Sequence, residues 1–278
     1  MNIIVCIKQV PDTTEVRIDP ETNTLIRSGV QCIINPFDMY AIEEGLRLKD
    51  KFEARVTVIT MGPPQAEEAL REAISLGADE AILVSDRLFA GSDTWATSYT
   101  LSKAIQKIKD YSLVICGKQA IDGDTAQVGP GISAHLDIPQ ITYVKKIEEM
   151  CFNSTENGER SESRATHSRD SYIKAERMTE EGYEIIESPL PCLITVVKEI
   201  NEPRLPSLKG KMKAKSAGIK KWEAKDLDVD PDLIGLNGSP TKVVKIFTPP
   251  PRKGGQILQG DPEEVSEKLV DLLKGEIP

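Results

Sequence analysis

Much of the chemistry a 278-residue chain might carry is excluded by what this sequence lacks. No C-x-x-C pair occurs among its five cysteines, at positions 6, 32, 116, 151 and 192. Cys6, Cys116 and Cys192 lie inside apolar runs, where cysteine acts as a small hydrophobe. Buried free thiols in a reducing compartment are therefore expected. The only histidines, His135 and His167, are far apart and lack ligand-like neighbours, so no metal site is expected. There is no G-x-x-x-x-G-K-[ST] phosphate loop, no G-x-G-x-x-G fingerprint, no G-x-S-x-G elbow and no cysteine with a nearby base. No side chain is singled out as catalytic. An excess of basic residues is also missing: 35 Lys and Arg stand against 44 Asp and Glu, a net charge of −9. Such a chain repels nucleic acid and anionic membrane on average. No apolar run approaches the ~18 residues of a membrane span. The N-terminal MNIIVCIKQV closes at Lys8 without a cleavage site. Together these absences predict a cytoplasmic protein with no membrane insertion.

What is present is an alternation. Strands are expected at Ile3–Val10, Arg55–Thr60, Ala81–Val84 and Ser112–Cys116, and a last one at Ser188–Val197. Between them Asp38–Lys51, Gln65–Leu76 and Asp93–Ile108 place apolar residues at helical spacing, and Val128–Leu136 begins another helix. Ser92 is the expected cap of the third. Strands interleaved with helices imply right-handed crossovers and a three-layer α/β fold, a doubly wound, mostly parallel, Rossmann-like sheet. Ligands of such sheets sit beyond the carboxyl ends of the strands. Lys8-Gln9, Met61-Gly62-Pro63 and the stretch from Gly117 onward are therefore expected to converge. Asn35 and Asp38 either join that crevice or only cap a helix.

The stretch Gly117–Pro130, GKQAIDGDTAQVGP, carries most of the interest. Small residues let a backbone approach a ligand, and N–H groups leading into a helix can hold phosphate without a basic side chain. The same composition suits a plain strand-to-helix turn. From about 151 to 182 the chain becomes polar, as an exposed hairpin tip or an insertion. Residues 201–222, NEPRLPSLKGKMKAKSAGIKKW, are basic and follow neither the helical nor the strand period. Residues 223–278 include KVVKIFTPPPRKGG and an amphipathic segment at Asp261–Lys274. They read either as an arm laid over another surface or as a tail on their own domain.

Several of these motifs, in order, resemble the beta subunit of electron transfer flavoproteins over nearly the whole chain. They are VCIKQVPD, INPFD-x5-EE-x-LRLK, LGAD at 76–79, GKQAIDGDTAQVGP, AERMTEEGYEIIESPLPCLIT and NEPRLPSLKGKMKAK. The resemblance implies a nucleotide-binding α/β domain over 1–200, a partner-recognition loop over 201–222 and a C-terminal arm against an alpha subunit over 223–278. It implies a cofactor site at Cys6, Asn35, Pro36, Phe37, Asp38, Met61, Gly117, Lys118, Gln119, Ala120, Ile121, Asp122, Gly123, Asp124, Thr125, Ala126, Gln127 and Val128. Leu208, between Ser207 and a run of lysines, matches the loop's anchoring leucine; alternatively it packs on its own domain. The housekeeping type of the family holds AMP in this site. The bifurcating type holds FAD, takes hydride from NADH, and sends electrons to ferredoxin and, through the alpha subunit's FAD, to a flavin-containing dehydrogenase such as an acyl-CoA or 2-hydroxyacid dehydrogenase. Gly123 and Ala126, where the housekeeping type has D-D-D-C-N-Q-T, and IDPETNTLIR at 18–27 resemble the bifurcating type. A non-redox adenine-nucleotide-binding module would share the sheet but not the basic segment or the proline-rich arm.

Overall fold

The computed structural model describes residues 1–12, 31–152, 171–244, 255 and 257–274. The described residues up to 244 form one compact unit, and those from 255 onward belong to a second. Strands β1 (Asn2–Cys6), β4 (Arg55–Met61), β5 (Glu80–Val84), β6 (Leu113–Gly117), β7 (Gln140–Cys151), β8 (Tyr172–Met178), β9 (Tyr183–Pro189), β10 (Cys192–Val196) and β11 (Lys220–Trp222) form one nine-stranded sheet. Its order is β11-β5-β4-β1-β6-β10-β7-β8-β9. The pairs from β11 to β7 are parallel, and β7-β8-β9 is antiparallel. A separate ribbon pairs β2 (Gln9–Pro11) with β3 (Cys32–Ile34).

The central strands are runs of Ile, Val and Leu because both faces are covered. Ile3, Ile4 and Val5 are wholly buried, as are Leu113, Val114 and Ile115. On one face pack α1 (Pro36–Phe52), α2 (Glu67–Leu76) and, through Ala214, α5 (Leu208–Ser216). On the other pack α3 (Thr94–Ile108) and α4 (Val128–Leu136). Each fully buried Ile or Leu contributes about 1.5–3 kcal/mol against its exposed state. Close approach is built into the α4 side. A Cβ at Gly131 would meet Ser98 Oγ at 2.4 Å, and one at Gly129 would meet Thr195 Cγ2 at 2.7 Å. In the second unit, α6 (Pro262–Lys274) leaves Leu269, Val270, Leu272 and Leu273 about half exposed.

The mostly parallel α/β sheet agrees with the sequence reading, and so do β4 and α4. Five details differ. The expected strand Ile3–Val10 is two strands, because the backbone leaves the main sheet after Cys6 and Gln9 turns to pair with Ile34. The third large helix is capped by Asp93 rather than Ser92. The expected strand Ser188–Val197 is split between β9 and β10 at Leu190-Pro191. The aperiodic 201–222 segment contains α5 and the edge strand β11. Of the polar stretch expected over 151–182, residues 153–170 lie outside the described residues, as does 18–27, but Tyr172–Met178 is no loop: it is β8, paired on both sides with β7 and β9.

Candidate functional site

The strand order reverses between β1 and β6. From β1 the chain passes through α1 to β4 on one side, whereas β6 leads through α4 towards β7 and β10, with α4 on the opposite face. That reversal opens a crevice beyond the carboxyl ends of the strands. Lys8, Asn35 and the 117–128 loop meet there.

Asn35 holds the crevice together. It occupies the cap position of α1, yet its side chain makes no capping bond. Instead Nδ2 donates to the Gln119 carbonyl at 2.8 Å, and Oδ1 accepts the Ile121 N–H at 3.1 Å. Its own N–H donates to the Lys8 carbonyl at 2.8 Å. Asn35, 1% exposed, thus bolts the loop to the strand that precedes it.

Asp38 does the same one turn later. Its Oδ2 accepts the Lys8 N–H at 2.7 Å, and the Gly117 N–H points to the same carboxylate. Burial pushes its pKa from 3.8 up to about 7, against the lowering effect of the Lys8, Asn35 and Gly117 hydrogen bonds. Gly117 is required by this contact, since a Cβ there would lie 2.3 Å from Asp38 Oδ1 and 2.7 Å from the Phe37 carbonyl carbon. Lys118 projects its ammonium over two rings, Phe37 at 5.9 Å and Tyr143 at 5.2 Å. Pro36 starts α1, where its missing N–H costs nothing.

The two loop aspartates, which would repel phosphate, are engaged elsewhere. Asp122 Oδ1 pairs with Lys8 Nζ at 2.7 Å. Asp124 accepts from the Gln119 amide. Asp124 and Ala126 have φ of 52° and 55°, a conformation few non-glycine residues adopt. Gln127 follows in the right-handed region with φ −100°. Alternating hands of this kind aim successive N–H groups at one concavity, an anion nest. Among the described residues, the N–H groups of Thr125, Ala126, Gln127 and Val128 have no acceptor. Gln127 Oε1 accepts instead from Thr94 Oγ1 at 2.8 Å, which ties the loop to the start of α3. Around Gly123 there is nothing within 4 Å of an added Cβ, so the loop faces open space at that point.

Cys6 and Cys116 are register partners on β1 and β6, just beneath the loop. Its hydrogen bond with Cys6 and its burial push the Cys116 thiol well above the ordinary range, so it stays protonated. Met61 ends β4, the neighbour of β1 on the other side, and packs on the α3–α4 side of the core. Leu208 lies away from this crevice, at the start of α5, and is 78% exposed, so it does not pack into its own domain. The segment expected to be a loop there is a helix capped by Ser207, whose Oγ accepts the Gly210 N–H at 2.9 Å.

The donor set fits a nucleotide phosphate. It offers unpaired backbone N–H groups at a helix start, aspartates tied off by partners, and glycines where side chains would intrude. No groups of three or more His, Cys, Asp or Glu that could hold a metal ion occur among the described residues, and no described helix is long and apolar enough to cross a membrane. A cavity of about 620 Å³, lined by Met1, Asn2, Arg55, Tyr111 and Ser112 among others, lies at the amino ends of the strands. That is the end remote from the crevice. Two features of the site escaped the sequence. Tyr143, at φ 60°, and Thr195, whose Oγ1 accepts the Tyr143 N–H at 3.0 Å, shape the wall beside Lys118.

Comparison with known proteins gives the family. The model of the electron transfer flavoprotein domain matches residues 22–227. The chain is 53% identical over 274 residues to the electron transfer flavoprotein subunit beta of Thermoanaerobacterium thermosaccharolyticum, covering 98% of both chains. It is 48% identical to the caffeyl-CoA reductase-Etf complex subunit CarD of Acetobacterium woodii, over 99% of this chain and 98% of that one. It is 47% identical to Protein FixA of Azotobacter vinelandii, over 98% of this chain and 94% of that one. With the fold and the full-length similarity in agreement, this chain belongs to the electron transfer flavoprotein family, as a beta subunit.

Proposed function

We propose that this chain pairs with an alpha subunit and that the crevice between β1 and β6 holds FAD. In this reading the site takes hydride from NADH. One electron passes to ferredoxin and the other, through the alpha subunit's FAD, to a flavin-containing dehydrogenase. FAD, when bound, supplies both the hydride-accepting and the one-electron chemistry. The protein's share is positional. Thr125–Val128 offer N–H groups to the phosphates, while Asn35 and Asp38 hold the loop to β1.

The observation that carries FAD over AMP is the open space at Gly123. A ligand longer than a mononucleotide needs room past its first phosphate, and here no side chain closes it. The similarity to a subunit named for a caffeyl-CoA reductase-Etf complex supports the same reading. The carboxylates of the site are engaged within the chain, Asp38 with the Lys8 N–H, Asp122 with Lys8 Nζ and Asp124 with the Gln119 amide, which suits a site where the cofactor performs the chemistry.

Anaerobic titration of the purified heterodimer with NADH tests this. Bleaching of flavin absorbance by NADH with no other protein present is the expected result. A heterodimer whose flavin NADH leaves oxidised would remove NADH and bifurcation from the account and leave a carrier with structural AMP.

A further inference from the structure

Helix α1 begins at the nucleotide crevice and runs away from it, and two buried carboxylates at its middle have no part in the site. Glu43 is 4% exposed and Glu44 8%. Burying a carboxylate costs several kcal/mol unless it is well paired. Glu43 is paired on every side. Its Oε2 accepts the Arg204 N–H at 3.0 Å and Arg204 Nε at 2.8 Å. Its Oε1 accepts Arg204 Nη2 at 3.2 Å and Arg47 Nε at 3.1 Å. Burial alone would raise the Glu43 pKa; the donors from Arg204 and Arg47 outweigh it and hold it below the ordinary range. Arg204 Nη2 also reaches Asp50 at 3.0 Å. Glu44 accepts from Asn201 Nδ2 at 3.0 Å, and the same amide donates to the Tyr40 carbonyl at 3.0 Å.

These bonds fix the backbone at 201–204, immediately before two leucines with nothing over them. Leu205 is 89% and Leu208 78% exposed. Beyond them α5 is held just as firmly to α2. Arg71 Nη1 donates to the Ala214 carbonyl at 2.7 Å, and Lys213 Nζ to the Ala78 carbonyl at 3.1 Å. Gly210 lies so close that a Cβ would meet the Ser75 carbonyl oxygen at 2.0 Å. The chain is therefore clamped on both sides of an exposed apolar turn. A hydrophobic contact could have glued 201–204 to α1 at no desolvation cost. A buried, four-donor carboxylate instead dictates one orientation, and orientation is what a docking segment needs.

We infer that Glu43, with Glu44 in support, is a positioning residue for partner docking: it seats Arg204 on α1 and so fixes where Leu205 and Leu208 are presented to the flavin dehydrogenase. The inference rests on the reading of Leu208 as that partner's anchor. It adds that α1 is one rigid strut, carrying Asn35 and Asp38 at the crevice and Glu43 and Glu44 under the docking segment. The distance from crevice to anchor is thereby set.

The test uses the intact heterodimer with an acyl-CoA dehydrogenase as electron acceptor. Glu43→Gln is the main variant, with Arg204→Gln, at a half-exposed position, for the case in which the first does not fold. Leu208→Ala is the control. The expected result is faster amide exchange confined to 201–208 and a KM for the dehydrogenase raised roughly tenfold, with kcat within about twofold of wild type and nucleotide content unchanged. Wild-type exchange, or a wild-type KM in Glu43→Gln while Leu208→Ala raises it, overturns the inference and leaves the docking reading standing. A wild-type KM in Leu208→Ala overturns the docking reading itself, and the positioning role with it.

Discussion

Asp38 and two glycines carry the account at the scale of single residues. Burial raises the folded-state pKa of Asp38 above its ordinary 3.8, so the neutral carboxyl favours folding at low pH. That contribution is present in full below pH 3.8 and is lost as pH rises through about 7. A carboxyl carbon titrating near neutrality is expected in an NMR spectrum of aspartate-labelled protein, and it should vanish in Asp38→Asn. A midpoint in the ordinary aspartate range would contradict the burial argument. The glycines are predicted to behave oppositely. Gly117→Ala forces a Cβ into Asp38 and the Phe37 backbone, and should cost about 1–3 kcal/mol in chemical denaturation together with nucleotide content. Gly123→Ala meets nothing and should leave stability within about 0.5 kcal/mol. A larger side chain at 123 is expected to lower FAD content while leaving the melting temperature alone. The sequence showed where these residues lie but not their roles. Asn35 reads as a helix cap by local rules, and only its bonds to Gln119 and Ile121, more than 80 positions away, make it a bolt.

Helices obey the sequence where packing is one-sided and regular, and central strands where both faces are covered. The Ala-rich stripe of α2 and the apolar runs of β4 and β6 were legible for that reason. Helix α5 was not, because Leu208 and Met212 face solvent and only Ala214 is buried, so no apolar period exists to be read. Strand β11 was hidden by two lysines at a sheet edge, where the charges are tolerated because the strand has one neighbour. At the start of α3 the cap is displaced from Ser92 to Asp93 by a tertiary partner. One oxygen of Asp93 accepts the Trp95 and Ala96 N–H groups, each at 3.0 Å, and the other accepts the Thr241 N–H at 2.9 Å. Ser92 instead donates to the Phe89 carbonyl at 2.8 Å. Asp93→Ala should therefore destabilise by about 1–2 kcal/mol, the loss of a cap and of its link to Thr241. Ser92→Ala should cost less than that. Equal losses in thermal unfolding would mean the cap is misassigned.

For the whole molecule, the resemblance read from the motifs and the family shown by comparison agree, and the fold supplies the reason. Strand order reverses at one place, and the most glycine-rich loop of that region is bolted there by residues of three different segments. What the motifs could not reveal is how the loop tolerates two aspartates. The answer lies in Lys8 and Gln119, which take up their acceptors and leave the backbone nest clear. Whether this nest holds FAD is decided by denaturing the purified alpha–beta heterodimer and quantifying the released nucleotides by chromatography. Two FAD molecules per heterodimer and no AMP are expected; one FAD with one AMP would refute FAD binding here and mean that the space beside Gly123 is not occupied by a flavin.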